Sequence, residues 1–256
     1  MSVKIATTAL KAFNVLEYVA ESEADVSASD VAGGTGFDRA TCYRLLMTLN
    51  EAGYVQLDPA NRRFSLSYKV VSLARHILQE DREIETVRDV MRQIARETTE
   101  GCHYSVLDGD YSVITLRERG KQVVTVDFAV GERAELYTTA GGKAMLAFQD
   151  IREIQRYLAG TMKSKTAHTI VEPQTLRQEL ISIRSHGVAY DNEELMAGLR
   201  CVAAPVFEAD GTVRSTIALS GPVSRYTDTR IAELEKVLRA GARELTRRRG
   251  GPEWSV

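Results

Sequence analysis

Polar side chains able to bind nucleic acid are grouped between positions 39 and 48, and the pair Arg62-Arg63 follows. Arginine matches the hydrogen-bonding edge of guanine and the oxygens of phosphate, and threonine contacts phosphate or the thymine methyl group. On one helix with an adjacent turn, these residue types predict the reading of double-stranded DNA. The predicted DNA contacts are Arg39, Thr41, Tyr43, Arg44, Thr48, Arg62 and Arg63. An ordinary helical hairpin with a solvated arginine face is the alternative.

A second group of residues has the composition of an anion site. The run Ala140-Gly141-Gly142-Lys143 opens a predicted helix. Free backbone N–H groups at a helix start carry partial positive charge, and small residues permit close approach. A carboxylate ligand would suit this site. The residues alone equally favour a tight strand-to-helix turn with Lys143 in solvent.

Cys201 is a third candidate, as a nucleophile. A nucleophilic cysteine needs a base within hydrogen-bond reach. Its candidate partners are His103, His168, His186 and Asp191. Nothing in the sequence places a histidine beside Cys201, which stands in an apolar run at 201–204. We therefore expect a packed thiol and no catalytic residue, with a cysteine-dependent hydrolase as the alternative function.

The cysteines and histidines as a group predict no other chemistry. Cys42, Cys102 and Cys201 form no CxxC pair, and their odd number argues against a disulfide framework. The four histidines add no metal-ligand spacing. These patterns predict buried, reduced thiols in a cytoplasmic protein, with no metal and no cofactor.

Charge is unevenly distributed along the 256 residues. The totals of 35 acids and 33 bases exclude a histone-like or polybasic protein. Residues 12–36 hold five acids and no base, whereas residues 37–75 hold six bases against three acids. Because phosphate contacts need local positive charge, the second segment favours DNA binding. Apolar runs are far shorter than the ~18 residues of a membrane helix, and no secretory signal is recognisable, so we expect no membrane partner.

Three helices must position the candidate DNA contacts. Apolar spacing predicts the first helix at 8–21. A capping box of Ser27 and Asp30 begins the second, and the glycines at 33, 34 and 36 end it. Asp38 caps the third, which runs to about residue 52.

The spacing of Ala32, Gly36, Cys42 and Leu45 is that of a helix-turn-helix motif. The small alanine lets two helices approach closely, and the glycine lets the chain turn between them. Alternating segments at 54–57 and 63–66 flank turn residues and predict a hairpin that would serve as a wing. Helical periodicity then continues to about residue 99, with a break near Asp81.

The remaining chain predicts an α+β domain, because antiparallel hairpins alternate with helices. The predicted strands are 103–107, 111–117, 123–128, 201–208 and 213–220, and the predicted helices are 142–148, 151–159, 173–186 and 227–249. The turns 108–110 and 209–211 contain Asp and Gly, which favour tight hairpins.

At this point the chain resembles the IclR-type bacterial transcriptional regulators along nearly its whole length. The similar segments are ALKAFNVL at 9–16, the helix-turn-helix, LNEAGYV at 49–55, GGKAMLA at 141–147, GLRCVAAPV at 198–206 and IALSGP at 217–222. The resemblance implies a winged helix-turn-helix domain at 5–67, a helical linker at 68–100 and a GAF-like effector-binding domain with an antiparallel sheet at 101–252. It also implies a homodimer or homotetramer that binds operator DNA and a small-molecule effector.

The resemblance further implies the residues of the effector pocket. They are Ala140, Gly141, Gly142, Asp191, Cys201, Ala218 and Ser220. The family often has a small hydroxyl residue where this chain has Ala218, which suggests a less hydrophilic pocket. Apolar residues that could line it, although core packing is the alternative for most, are Val126, Phe128, Leu136, Tyr137, Met145 and Met196.

The combined hypothesis is a ligand-responsive transcription factor. A dimer would present two recognition helices about one DNA turn apart on a pseudopalindromic operator. The effector would be a small organic acid, with aromatic carboxylates among the candidates. Its binding would shift the linker helices by stabilising one of two states. A DNA-binding protein that needs no ligand is the remaining alternative.

Overall fold

The computed structural model describes residues 5–78, 81–126 and 128–252. The chain divides into two compact units, Met1–Asp81 and Arg82–Val256. No helix in the described ranges is long and apolar enough to cross a membrane.

The first unit contains the predicted three helices and hairpin, followed by a fourth helix. Its elements are α1 Thr7–Glu21, α2 Ala28–Thr35, α3 Arg39–Glu51, β1 Val55–Asp58, β2 Arg63–Leu66 and α4 Lys69–Leu78. The two strands pair antiparallel, with Val55 opposite Leu66. Val15, Val31, Leu46 and Phe64 are fully buried, and they join α1, α2, α3 and the hairpin in one core.

Local sequence signals set the boundaries of α2 and α3. The capping box is formed: Ser27 N–H donates to Asp30 Oδ2 at 2.8 Å, and Asp30 N–H donates to Ser27 Oγ at 3.3 Å. Gly36 ends α2 with a φ of 72°, the left-handed conformation that glycine adopts without strain. Asp38 caps α3 by accepting a hydrogen bond from Thr41 N–H at 2.9 Å. These predictions are confirmed.

The second unit is a six-stranded antiparallel sheet with helices on both faces. Its strands are β3 Gly101–Asp108, β4 Tyr111–Glu118, β5 Arg133–Glu135, β6 Ala189–Asn192, β7 Leu199–Phe207 and β8 Val213–Pro222, in the spatial order β5-β4-β3-β8-β7-β6. Its helices are α5 Asp81–Thr98, α6 Ala140–Ala147, α7 Ile151–Leu158, α8 Pro173–His186 and α9 Asp228–Arg248, with a 3₁₀ turn at Leu136–Thr138.

The two faces of the sheet differ in character. One face is apolar and packs with α5 and α9 in the main core, where Val202, Ile217 and Leu219 are fully buried. Side chains alternate across a strand, so their neighbours point to the opposite face. Those neighbours are small or polar, and they include His103, Cys201 and Ser220. The second face therefore leaves room that large side chains would fill.

The strand predicted at 123–128 is wrong. In the described residues 121–126 and 128 the chain forms no strand. The free edge of β4 is paired with β5 instead, with Val113 opposite Arg133. Arginine side chains hold the segment by its carbonyls: Arg225 donates to Val124 O at 3.1 Å, and Arg117 donates to Phe128 O at 3.0 Å.

Candidate functional site

The outer face of α3 presents the predicted DNA contacts. Arg39, Arg44 and Thr48 are exposed, while the buried face of α3 packs through Cys42 and Leu45. The Thr48 hydroxyl donates to Arg44 O at 2.9 Å. Neither Arg39 nor Arg44 has a side-chain hydrogen bond or ion pair with any other described residue. Both guanidinium groups are therefore available to a ligand outside the chain.

The other two α3 residues are more constrained. Tyr43 is half exposed, and its ring lies 6.4 Å from the ring of Phe64 in an edge-to-face contact with the hairpin. Thr41 is partly buried, and its backbone N–H is engaged with Asp38. Tyr43 therefore joins the recognition helix to the wing while part of its ring remains accessible.

The wing arginines differ from each other. Arg62 lies at the turn with a φ of 57° and an exposed side chain. Arg63 instead donates to the carbonyl of Asp25 and pairs with the Asp30 carboxylate at 3.4 Å. The guanidinium of Arg63 thus ties the hairpin to α2 within the first unit.

A cavity of about 450 Å³, including its open mouth, lies on the polar face of the second unit's sheet. The strand register arranges the residues of this face in rows; Asp191 and Cys201 line the cavity, whereas Ser220 lines a neighbouring one. Asp191 stands opposite Cys201, and Cys201 stands opposite Ser220, across β6, β7 and β8. We call this the Asp191 row, and it joins three residues that the sequence separates by up to 29 positions.

Two residues further along the strands lies a row of small side chains. Ala203 is opposite Ala189 on one side and Ala218 on the other, and Ala218 is opposite His103. We call this the middle row. Ala140 of α6 packs with Ala203 and Ala218 over it. The middle row is therefore a packed apolar layer under the start of α6.

Asp191 is fully buried and only half satisfied. Its Oδ1 accepts a 2.7 Å hydrogen bond from Glu194 N–H, while its Oδ2 has no hydrogen-bond partner among the described residues. Burial raises the pKa of Asp191 to about 6, and the nearby Glu194 carboxylate adds to the rise. Such an atom in a cavity wall can accept a hydrogen bond from a ligand.

The amino end of α6 forms part of the cavity wall. Thr139 caps the helix by accepting from Gly142 N–H at 2.9 Å. The N–H groups of Ala140 and Gly141 make no backbone hydrogen bond to the described residues. Two helix-terminal donors therefore remain for a bound group.

The alternative of a solvated Lys143 is wrong. Lys143 is fully buried, and its ammonium pairs with Glu194 at 2.6 Å and with Glu179 at 3.5 Å. The helix periodicity turns this side chain inward, beneath the cavity-facing residues of α6. The ion pair fixes the loop that carries Glu194, whose backbone N–H holds Asp191.

The geometry around Cys201 disfavours nucleophilic chemistry. The Ser220 hydroxyl donates to Cys201 Sγ at 3.0 Å, and burial together with Asp191 raises the pKa of the thiol. A thiol is a far weaker nucleophile than a thiolate. His103 lines the same cavity but stands two strands and one row away from Cys201, and burial lowers its pKa to about 4. His168 and His186 lie on exposed segments.

Sequence reasoning missed three polar residues of the cavity as binding residues: His103, Ser105 and Ser112. Ser105 and Ser112 are 3% and 6% exposed, and both line the cavity. The alternation of His103 and Ser105 along β3 is a signal that could have found two of them, since it predicts a polar strand face.

The expected apolar lining is only partly present. Phe128 lines the cavity, with its ring 5.4 Å from that of His103. Leu136, Tyr137 and Met145 are instead buried in a separate core with α7 and α8. Met196 is exposed. Among the described residues, no group of three or more His, Cys, Asp or Glu side chains has the arrangement of a metal site.

Comparison with known proteins connects both units to one family. Residues 8–59 match the IclR helix-turn-helix domain, and residues 76–247 match the bacterial transcriptional regulator IclR C-terminal domain. The HTH-type transcriptional regulator KdgR of Escherichia coli K12 is 31% identical over 95% of this chain and 93% of its own length. The transcriptional repressor IclR of the same organism is 27% identical over 94% and 89%.

Solved structures show the same relationship. The crystal structure of IclR from Thermotoga maritima is 31% identical, with a TM-score of 0.76 over 96% of this chain and 100% of that one. An IclR homologue from Microbacterium hydrocarbonoxydans, solved in complex with 4-hydroxybenzoate, shares the fold with a TM-score of 0.76 at 16% identity over 94% and 98%. The chain belongs to the IclR family of bacterial transcriptional regulators, with a helix-turn-helix DNA-binding domain and a C-terminal effector-binding domain.

Proposed function

We propose that this protein binds double-stranded operator DNA through α3 and the wing, and that a small organic acid in the sheet cavity changes its affinity for that DNA. The observation that carries the proposal is the cavity itself. It contains a fully buried carboxylate oxygen of Asp191 and two helix-terminal N–H groups, none with a partner among the described residues. Buried polar atoms without partners are rare in native proteins, and a ligand accounts for them.

The predicted DNA contacts support the first half of the proposal. Arg39 and Arg44 are exposed on one helix and have no competing acid among the described residues. Arg62 adds an exposed charge on the wing. Arg39, Thr41, Tyr43, Arg44, Thr48 and Arg62 are proposed as contacts, while Arg63 acts mainly through its pair with Asp30.

The lining supports an acid as effector. The carboxylate is proposed to bind the N–H groups of Ala140 and Gly141, and the pocket is proposed to include Gly142, Asp191, Cys201, Ala218 and Ser220. Phe128, Ile114 and Leu195 supply an apolar wall that would accept an aromatic ring. Aromatic carboxylates, the class of the 4-hydroxybenzoate bound by the Microbacterium homologue, are therefore candidates alongside aliphatic acids.

We further propose a homodimer or homotetramer, because a single helix-turn-helix domain supplies few phosphate contacts. The helical segment 68–100 would transmit the effect of the ligand to the helix-turn-helix domains. Since an effector shifts an equilibrium only by its differential affinity for two states, the acid must bind the DNA-competent and DNA-incompetent states unequally.

Selection from random DNA duplexes followed by fluorescence-anisotropy titration tests this function. Arg44→Ala should weaken binding to the selected duplex by roughly 5- to 150-fold, the value of one good base contact. Arg152→Ala removes an exposed arginine from α7 and is the matched control. Equal affinity of Arg44→Ala and wild type would remove Arg44 from the contact set.

The effector is tested by repeating the titration with pyruvate, hexanoate and benzoate, and by following thermal stability with the same acids. A ligand that binds the folded state raises its melting temperature. A rise together with a changed DNA affinity supports the proposal. DNA binding that no acid alters, with no thermal shift, would instead indicate a ligand-independent DNA-binding protein.

A further inference from the structure

The end of α5 has an uncommon backbone conformation. Thr99, the residue that follows the helix, has a φ of 63°. A residue with a branched Cβ rarely adopts this left-handed region, because its side chain crowds the backbone there. Such a conformation persists only where the surrounding structure maintains it, and residues of this kind cluster at switch regions. We call residues 98–101, which join α5 to the start of β3, the hinge.

A neighbouring segment supplies much of the support for Thr99. We call residues 120–126 the strap. Lys121 N–H donates to Thr99 O at 2.9 Å, and the side-chain amide of Gln122 donates to Thr99 Oγ1 at 2.7 Å. A Cβ placed on Gly120 would collide with Thr99 O, so the two backbones are in direct contact. The strap therefore engages both the carbonyl and the hydroxyl of Thr99.

Arg225 joins the hinge and the strap to each other. Its guanidinium donates two hydrogen bonds of 2.8 Å to the carboxylate of Glu100, which is 1% exposed. The same guanidinium donates to Val124 O in the strap at 3.1 Å. Arg230 donates to Thr98 O at 2.7 Å and holds the last turn of α5. A shift of the strap would therefore alter the contacts of the hinge.

The strap continues into the wall of the cavity. Phe128, two residues beyond the strap, lines the cavity beside His103. Phe128 and His103 also line the neighbouring cavity of about 370 Å³, including its open mouth, together with residues of the strap and the hinge. On the strap itself, Val123 is fully exposed and Val124 is 64% exposed. Few buried apolar contacts therefore oppose movement of the strap.

We propose that an effector in the cavity displaces Phe128 and the strap, and that the hinge, once released from the strap, lets α5 leave β3 at a different angle. This inference rests on the proposed function and names the residues that regulate it. Thr99 is the hinge residue that changes conformation, and Gln122 is the positioning residue that maintains it. The effector acts by binding the held and released arrangements unequally.

Two substitutions at Thr99 should act in opposite directions. Thr99→Val keeps the branched Cβ and removes the acceptor of the Gln122 amide, so it should favour the released hinge. Thr99→Asn keeps an acceptor oxygen, and asparagine is enriched at positive φ, so it should favour the held hinge. The affinity of the ligand-free chain for the selected duplex should differ between these variants by about threefold or more, with wild type within that interval.

Gln122→Ala should reproduce Thr99→Val, because each removes the same hydrogen bond. The double variant should then differ little from either single variant. Gln149→Ala is the matched control, since it removes glutamine hydrogen bonds of 3.0 and 2.9 Å to Met145 O and Val213 O. These lie at the opposite end of β8 from the hinge. This control should lower the melting temperature and leave DNA affinity unchanged.

Acid binding provides a readout that a purely structural role would not move. Neither Thr99 nor Gln122 lines either cavity. Isothermal titration of the full chain with pyruvate, hexanoate and benzoate measures acid affinity in each variant. The acid that binds wild type should bind Thr99→Val more tightly and Thr99→Asn less tightly, each by roughly two- to tenfold, because the populated fraction of the released state sets the apparent affinity.

The outcomes separate this inference from the proposed function. Equal DNA affinities of Thr99→Val and Thr99→Asn would overturn the hinge, whether or not an acid binds. Opposed DNA affinities with unchanged acid affinities would overturn the link between the cavity and the hinge. Wild type that binds none of the three acids would overturn the acid effector and with it the role of Phe128, while the ligand-free comparison still decides the hinge.

Discussion

At the scale of single residues, the arginines of the first unit have different roles because their neighbours differ. Arg44 and Arg62 are exposed and unengaged, whereas Arg63 is held by Asp30 and the carbonyl of Asp25. Sequence alone predicts an arginine-rich surface. It does not predict which arginines are already paired, because Asp30 and Arg63 are 33 positions apart.

The wing arginines should therefore respond differently to substitution. Arg62→Ala should lower DNA affinity and reduce the slope of log K against log salt by about 1, the effect of one lost phosphate contact. Arg63→Ala should have a smaller effect on that slope and lower the thermal stability of the first unit. Anisotropy titrations at several salt concentrations and a melting curve check both. A larger slope change for Arg63→Ala would contradict this assignment.

Asp191 should leave a signature in the pH dependence of stability. Its folded-state pKa is about 6, raised by burial and by Glu194 above a normal value of 3.8. Between roughly pH 4 and 6 the folded state keeps a proton that the unfolded state has lost, so the free energy of unfolding should fall as pH rises. The change is on the order of 2–3 kcal/mol.

Asp191→Asn should remove this component. The measurement is urea unfolding of the second unit at pH 4.5 and 6.5, compared between wild type and variant. The groups facing Asp191 are Glu194, Lys143 and Cys201, with Glu179 behind Lys143. These groups remain in both proteins, so the difference reports Asp191 together with its coupling to Glu194. Identical pH profiles would show that its carboxyl titrates normally.

At the scale of elements, the sequence predicts well the helix starts and hairpin turns that neighbouring residues determine. The capping residues Ser27 and Asp38 start α2 and α3, and Asp-Gly turns join the strands of both hairpins in the second unit. β5 and β6 have three and four residues, too short for a recognisable alternation. Residues 123–128 have strand-like composition, yet the neighbouring edge is occupied by β5.

In the candidate site, too, local features are predictable from the sequence and long-range contacts are not. The start of α6 is a local feature, and its small residues are visible in the sequence. The meeting of Asp191, Cys201 and Ser220 in one row depends on the register of three strands. We reached those positions only through resemblance to a family. The burial of Lys143 depends on Glu179 and Glu194, which lie on distant segments.

Two glycines of α2 provide a matched test of the turn in the helix-turn-helix. Gly36 has a φ of 72° and open space around its Cβ position, so Gly36→Ala should destabilise the first unit by about 1 kcal/mol through backbone strain alone. Gly33 is helical with the same open space, so Gly33→Ala should stabilise it by about 0.5–1 kcal/mol. Thermal unfolding measures both, and changes of equal sign would contradict the argument.

At the scale of the whole molecule, a net charge of −2 conceals a separation of charge within the first unit. The bases of 37–75 include the exposed arginines of α3 and the wing, and the acids of 12–36 lie in α1, α2 and the loop between them. A single helix-turn-helix domain with this charge distribution should have modest electrostatic affinity for DNA. The proposed oligomer would increase the affinity for DNA by joining two such domains.

Binding should therefore depend on the spacing of half-sites. A duplex with two selected half-sites one helical turn apart should bind at least about tenfold more tightly than one in which half a turn is inserted between them. Anisotropy titration of the two duplexes makes the comparison, and light scattering of the free protein reports its mass. Equal affinities would indicate independent monomers.

The unequal faces of the second unit's sheet have a consequence for how such a protein diverges. The face under α5 and α9 contributes to the main apolar core, so substitutions there are constrained by packing. The residues of the opposite face that line the cavity, such as Ser105 and Ser112, have small polar side chains outside that core. Exchanging them costs little stability while altering what the cavity recognises. One scaffold can thus acquire new effectors by a few mutations, without first losing its fold.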